Sequence, residues 1–183
     1  MRRDNGLSLI ELSAIVAILG IIALVVVPDL SSVQPKKLEL AAQRVAEALR
    51  FARSESMRTG EHHGVTVSQE TQEVTVKKWN LTTDPVSAES IPHDPLSKRS
   101  FQFWVDGLAL APGVRITNAA DPFLFTGLGR RRSLIFDPQG VPLWVLGADG
   151  SRYLLAEGII ALGVGREQRT VAVAPLTGQV TIQ

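Results

Sequence analysis

Few groups in this chain have types and spacings suited to chemistry. The histidines are His62, His63 and His93, and cysteine is absent. Adjacent His62 and His63 would point to opposite faces of a strand. Without thiolates or a fixed acidic partner they do not suggest a metal site, and they read as exposed polar residues at a strand start. No G-x-S-x-G, H-E-x-x-H or P-loop pattern occurs. Asp84, Asp94, Asp106 and Asp121 each precede Pro or Gly, as turn residues do. Neither a catalytic set nor a cofactor site is expected. Two features remain. Arg130-Arg131-Arg132 could make salt-sensitive contacts to phosphates, or could serve as loop cations or salt-bridge donors. Glu11 is the one charge within an apolar run from Leu7 to Val27.

That run must position Glu11. Its 21 residues match the roughly 20 that a helix needs to cross a hydrocarbon core. Arg2 and Arg3 precede it, which predicts a cytoplasmic N-terminus and a chain lying outside from Pro28 onward. A carboxylate at mid-bilayer costs roughly 2.5–3.5 kcal/mol on insertion scales, so a plain anchor gains nothing from Glu11 unless it reaches water near the headgroups. A secretory signal peptide would need small residues at a cleavage site after the run, and PDLSSVQPKK offers none. An uncleaved signal anchor fits the hydropathy equally well.

The segment GLSLIELSAIVAILGIIALVVVP resembles the class III signal of type IV prepilins and type II secretion pseudopilins. The resemblance implies a leader, residues 1–6, cut after Gly6 by a prepilin peptidase, with N-methylation of the new first residue, Leu7. Glu11 then falls at the family's fifth mature position and Pro28 at its twenty-second. Leu7 stands where Phe is usual, and Ser8 where Thr is common. The resemblance also implies that Glu11 pairs with the terminal amine of a neighbouring subunit, since a desolvated ion pair tolerates burial better than a lone carboxylate. Removing the leader takes Arg2, Arg3 and Asp4 from 19 basic and 18 acidic residues, which leaves the side-chain charges balanced. The net charge of +1 therefore resides in the leader, and nothing global points to nucleic acid.

The 183 residues, 45% apolar and 20% charged, suit one folded domain with an accessory segment. Pro28 and Pro35 predict a kink or break, followed by an amphipathic helix from about Lys36 to Thr59 that stops at Gly60. Leu38, Ala42, Val45, Leu49 and Ala52 recur at helical spacing. Arg44, Glu47, Arg50, Arg53 and Glu55 read as the solvated face. The organisation expected is 1–6 leader, 7–27 transmembrane and assembly helix, 28–60 periplasmic amphipathic helix, and 61–183 β-rich domain.

Alternation around Val65, Val67, Val74 and Val76, and at Phe101, Phe103 and Val105, predicts strands. So do Ser133–Phe136, Leu143–Leu146, Arg152–Ala156, Ile159–Val164 and a closing hairpin of Thr170–Ala174 with Gln179–Ile182. Thr82–Lys98, with three prolines, reads as a long surface loop. The fold class is α+β: a long N-terminal helix packed on an antiparallel, β-rich, pilin-like domain, either two sheets or one strongly bent sheet. Ala52-Arg53-Ser54-Glu55-Ser56 leading into Gly and a strand resembles the start of the GspH/FimT-like minor pilin domain. The pattern Ile135-Phe136-Asp137-Pro138-Gln139-Gly140 and the later Thr177-Gly178 resemble that family and the minor pilins of mannose-sensitive haemagglutinin pili.

The resemblance implies a structural subunit, not an enzyme, of a type II secretion pseudopilus or type IV pilus. It would sit in the inner membrane as a single-pass protein with its C-terminal domain periplasmic, then enter the fibre. The partners implied are prepilin peptidase, other pilin subunits, the inner-membrane assembly platform and membrane lipid. Alternatives are a DNA-binding minor pilin using Arg130, Arg131 and Arg132, although TGQVTIQ lacks the basic residues that some such pilins use, and a signal-anchored periplasmic domain.

Overall fold

The computed structural model describes residues 9–26, 33–81, 87–94, 98–118, 120–146 and 150–183. Two compact units divide the chain, residues 1–33 and 34–183.

In the first unit, α1 spans Leu9–Val26. Apolar residues occupy every side of it, the pattern of a helix covered all round rather than along one stripe. Leu9, Ile10, Leu12, Ile15, Val16, Ile18 and Leu19 are all exposed. Glu11 lies in its first turn, where the helix dipole favours a negative charge. Eighteen residues give a length of about 27 Å. Among the described residues no helix is long and apolar enough to cross a membrane. Leu7, Ser8 and Val27, which complete the apolar run, lie outside them.

The second unit opens with α2, Val33–Thr59. The expected start at Lys36 is too late, and Pro35 does not precede this helix. Pro35 sits in the first turn, where an N–H would have no intrahelical acceptor. Leu38, Ala41, Ala42, Val45, Ala46, Ala48, Leu49 and Ala52 are buried. Five alanines in this stripe let the backbone lie close to the sheet. Gly60 ends the helix at φ 73°, with its N–H donating to the Ser56 carbonyl as in a left-handed C-terminal cap.

The sheet is antiparallel. Its strands are β1 His63–Ser68, β2 Glu73–Asn80, β3 Ser87–Ser90, β4 Gln102–Trp104, β5 Arg115–Ile116, β6 Phe123–Phe125, β7 Gly129–Arg131, β8 Ser133–Phe136, β9 Pro142–Leu146, β10 Ser151–Val164, β11 Glu167–Val173 and β12 Val180–Ile182. The main path runs β12-β11-β10-β9-β8-β1-β2-β3, with β4 on β2, β5 and β6 on β10, and β7 on β6.

β10 corrects the expectation of two strands at 152–156 and 159–164. It is one 14-residue strand that changes partners along its length. Ser151–Leu154 pair with β9, and Gly158–Val164 pair with β11. The register shifts between Leu155 and Glu157 against β6, as at a bulge that bends a strand. Gly158 permits the bend to stay packed, because a Cβ there would lie 3.1 Å from Leu155 and 3.3 Å from Val173 side-chain atoms. The loop expected at 82–98 is also corrected: Ser87–Ser90 forms the edge strand β3, and His93 bridges Ser100.

The main core joins the α2 stripe to Val65, Val67, Val74, Val76, Phe123, Phe125, Leu134, Phe136, Ile160 and Leu162. A smaller cluster, Ile135, Leu143 and Val145, packs with Trp79, Leu81 and Trp144.

Candidate functional site

Of the residues expected in processing and assembly, Glu11 is described, exposed in the first turn of α1. Gly6, Leu7 and Pro28 lie outside the described residues.

The three motif segments of the second unit meet at the C-terminal end of α2. Ser56 is fully buried. Its Oγ accepts the His63 N–H at 2.9 Å and lies 3.0 Å from the Phe136 carbonyl and 3.1 Å from the Ala52 carbonyl. One hydroxyl has a donor and two acceptor sites, so it ties the helix end to β1 and β8 together. Arg53 Nε donates to the Gly140 carbonyl at 3.2 Å. Between β8 and β9, the Asp137 carboxylate accepts the N–H groups of Gln139 and Val141 at 2.9 and 2.8 Å. Gly178 turns the β11–β12 connection at φ 63°, and a Cβ there would lie 2.5 Å from the Gly140 carbonyl oxygen. A glycine is required on both grounds. The A-R-S-E-S tail, the I-F-D-P-Q-G turn and the T-G turn therefore form one packed junction.

The charged face of α2 departs from the solvated surface expected of it. Arg44 reaches Asp94 at 2.5 Å and lies over the Phe101 and Phe103 rings at 4.8 and 5.2 Å. Asp94 is only 3% exposed, so the pair ties Asp94 to the helix. Arg50 donates to the Val180 carbonyl at 3.1 Å. Glu47 is exposed and pairs with Arg44 at 3.2 Å, as Glu55 does with Arg58 at 2.6 Å, and the hydrogen bond from Arg58 holds the Glu55 carboxyl below its ordinary range.

Arg130 and Arg131 lie on β7, a strand the sequence did not announce, and Arg132 follows it. Gly127 and Gly129, at φ 78° and 87°, shape the β6–β7 hairpin turn. Arg130 reaches Glu157 at 3.4 Å, and Arg131 donates to the Arg130 carbonyl. The three cations are therefore not presented as one contiguous surface: one is salt-bridged and successive residues of a strand face opposite sides.

The expectation of exposed histidines fails for His63, which is 4% exposed because β1 is flanked by β2 and β8. His62 is half-buried, and its Nε2 has no hydrogen-bond partner among the described residues. Burial pushes its pKa down, with nearby Asp137 acting against that. No group of three His, Cys, Asp or Glu suited to a metal ion occurs among the described residues.

Residues 41–177 match the family model described as type II transport protein GspH. No curated protein matches the chain. Among solved structures, the minor pseudopilin EpsH from the type 2 secretion system of Vibrio cholerae aligns with a TM-score of 0.50 at 16% identity, covering 80% of this chain and 96% of that one. The type IV minor pilin FimU of Pseudomonas aeruginosa aligns at 0.45 with 12% identity, covering 81% and 90%. At such identity the likeness to EpsH concerns the fold alone.

Proposed function

The chain belongs to the GspH family of type II transport proteins, and from that premise we propose how its two helices make it a fibre subunit. It is a minor pseudopilin- or pilin-class structural subunit of a pseudopilus or pilus, and assembly with other pilin subunits is its role. The family is structural, and the protein acts by being built in rather than by turning over a substrate.

The observation that carries the reading is α1. A helix that is apolar all round, with Leu9 at 85% and Ile10 at 77% exposure, has its energy minimum only when covered on every side. Lipid provides that cover before assembly, and the corresponding helices of neighbouring subunits provide it afterwards. Processing after Gly6 by a prepilin peptidase leaves a cationic amine and, after methylation, a secondary amine at Leu7. Glu11 of one subunit pairs with that amine on another, which selects one register among the many that apolar packing alone would tolerate. Pro28, at the family's twenty-second mature position, is an assembly residue in this reading. The inner-membrane assembly platform handles the processed subunit, and the domain from 61 to 183 lies on the periplasmic side and then on the fibre.

The test is the mass and N-terminal residue of the protein made with and without a prepilin peptidase. Loss of residues 1–6 with one added methyl on Leu7 is the expected outcome. An intact Met1 terminus despite active peptidase would reduce the chain to a signal-anchored domain.

A further inference from the structure

A groove of about 690 Å³ runs between the last turns of α2 and β12, lined by Arg50, Arg53, Arg58, Met57, Gly178 and Val180 among others. Three of its lining side chains are cations and none is acidic among the described residues that line it; Arg58 is paired through two donors with Glu55, so a ligand carboxylate would share or displace that partner. Arg50 and Arg53 each use a donor on a backbone carbonyl, of Val180 and Gly140 respectively. A guanidinium carries five N–H donors in a fixed fork, so both are oriented from below while further donors remain. These contacts hold the two forks in place in advance of any ligand, which lowers the ordering cost of binding.

The wall opposite the helix is a sheet edge. β12 stands at the end of the strand order, and β11 is its neighbour. Thr170 and Gln183 exchange both backbone hydrogen bonds, so in the alternating antiparallel pattern the backbone groups of Val180 and Ile182 point away from β11. Arg50 takes the Val180 carbonyl. The Val180 N–H and the Ile182 backbone groups lie on the open edge. Such an edge is a template for an added strand.

We infer that this groove receives an extended acidic segment of a neighbouring protein subunit, whose carboxylates meet Arg50, Arg53 and Arg58 while its backbone lies along β12. The inference goes beyond the assignment of the chain as a fibre subunit and names the chemistry of one of its contacts. One feature selects a peptide over a phosphodiester. A peptide satisfies both the arginine forks and the edge groups of β12, whereas a nucleic-acid strand satisfies only the cations. A lipid headgroup is disfavoured by position, because Arg50 and Arg58 lie about 26 and 38 Å along α2 from its start at Val33, the end to which the apolar segment connects.

The experiment titrates the full-length chain in detergent micelles with a fluorescent hexapeptide of alternating glutamate and valine, following anisotropy. The controls are the same peptide with glutamine for glutamate and a single-stranded oligonucleotide of matched charge. Expected are binding of the glutamate peptide that weakens with salt, at least about tenfold weaker binding of the glutamine peptide, and weaker binding of the oligonucleotide. Arg50→Gln with Arg53→Gln should weaken the glutamate peptide by a similar factor. Arg58→Gln, which disturbs only the surface pair with Glu55, should weaken it without altering thermal unfolding. Equal binding of the two peptides, tighter binding of the oligonucleotide, or an Arg58→Gln protein that binds as wild type would each overturn the inference. The assay reads the groove without assembly, so its failure leaves the subunit reading, tested at the N-terminus, untouched.

Discussion

α1 and α2 both draw their apolar residues largely from alanine, leucine and valine, yet they solve opposite problems. α2 concentrates its apolar residues on one stripe and buries Leu38, Val45, Leu49 and their alanine neighbours against its own sheet. α1 spreads them around the helix and leaves those from Leu9 to Leu19 exposed. The first pattern is complete within one molecule. The second leaves the residues from Leu9 to Leu19 uncovered within one molecule. The difference teaches that one chain can carry a finished fold and an unfinished one, separated by where the polar and charged residues fall along each helix.

The sharpest way to break this comparison is Glu11→Ala. If α1 exists to assemble, the variant should insert normally and unfold at the wild-type temperature, yet be absent from purified fibres. Normal incorporation would remove the pairing role of Glu11. Leu49→Ala should do the reverse. It opens a cavity under α2 and should cost about 2–5 kcal/mol, read as a lower thermal midpoint of the full chain in detergent, with membrane insertion unchanged. A smaller loss is expected of Ser56→Ala, which removes the acceptor of the His63 N–H and should cost about 1–3 kcal/mol. An unchanged midpoint there would mean the junction relaxes around the missing hydroxyl.

The smallest effect is on pH dependence, and it concerns only the α2 unit. Burial holds the pKa of His62 below its ordinary value. The unfolded chain then binds more protons than the folded one, so this contribution is full above about pH 6.5 and declines as pH falls toward the lowered folded value. His62→Gln should flatten the decline. A decline of the same size in the variant would place its source elsewhere.

Sequence legibility tracked locality. The α2 stripe, the Ser133–Phe136 strand and the closing hairpin were readable because period and turn residues suffice for them. β10 was not, since Glu157-Gly158 looks like a break until Val173 and Phe123 are seen packed against the glycine. The burial of His63 depends on flanking strands, and the partners of Arg44, Arg50 and Arg53 lie 50, 130 and 87 positions away. No local pattern encodes such distances. The A-R-S-E-S tail and the two Gly turns were legible as resemblances, but not as parts of one junction. For Gly6, Leu7 and Pro28 the sequence alone speaks.

The bond between Arg50 and Val180 has a temporal meaning as well as a spatial one. Its partners are 130 positions apart, and a loop of that size must close before the end of α2 is sealed. A chain emerging from its N-terminus can form α2, then β1 and β2, long before β12 arrives. Until then Arg50 lacks the Val180 carbonyl, and the end of α2 borders an unfinished edge that invites wrong partners. The junction is thus a clasp that fastens late, and a subunit cut short before residue 180 would be recognisable by its open end.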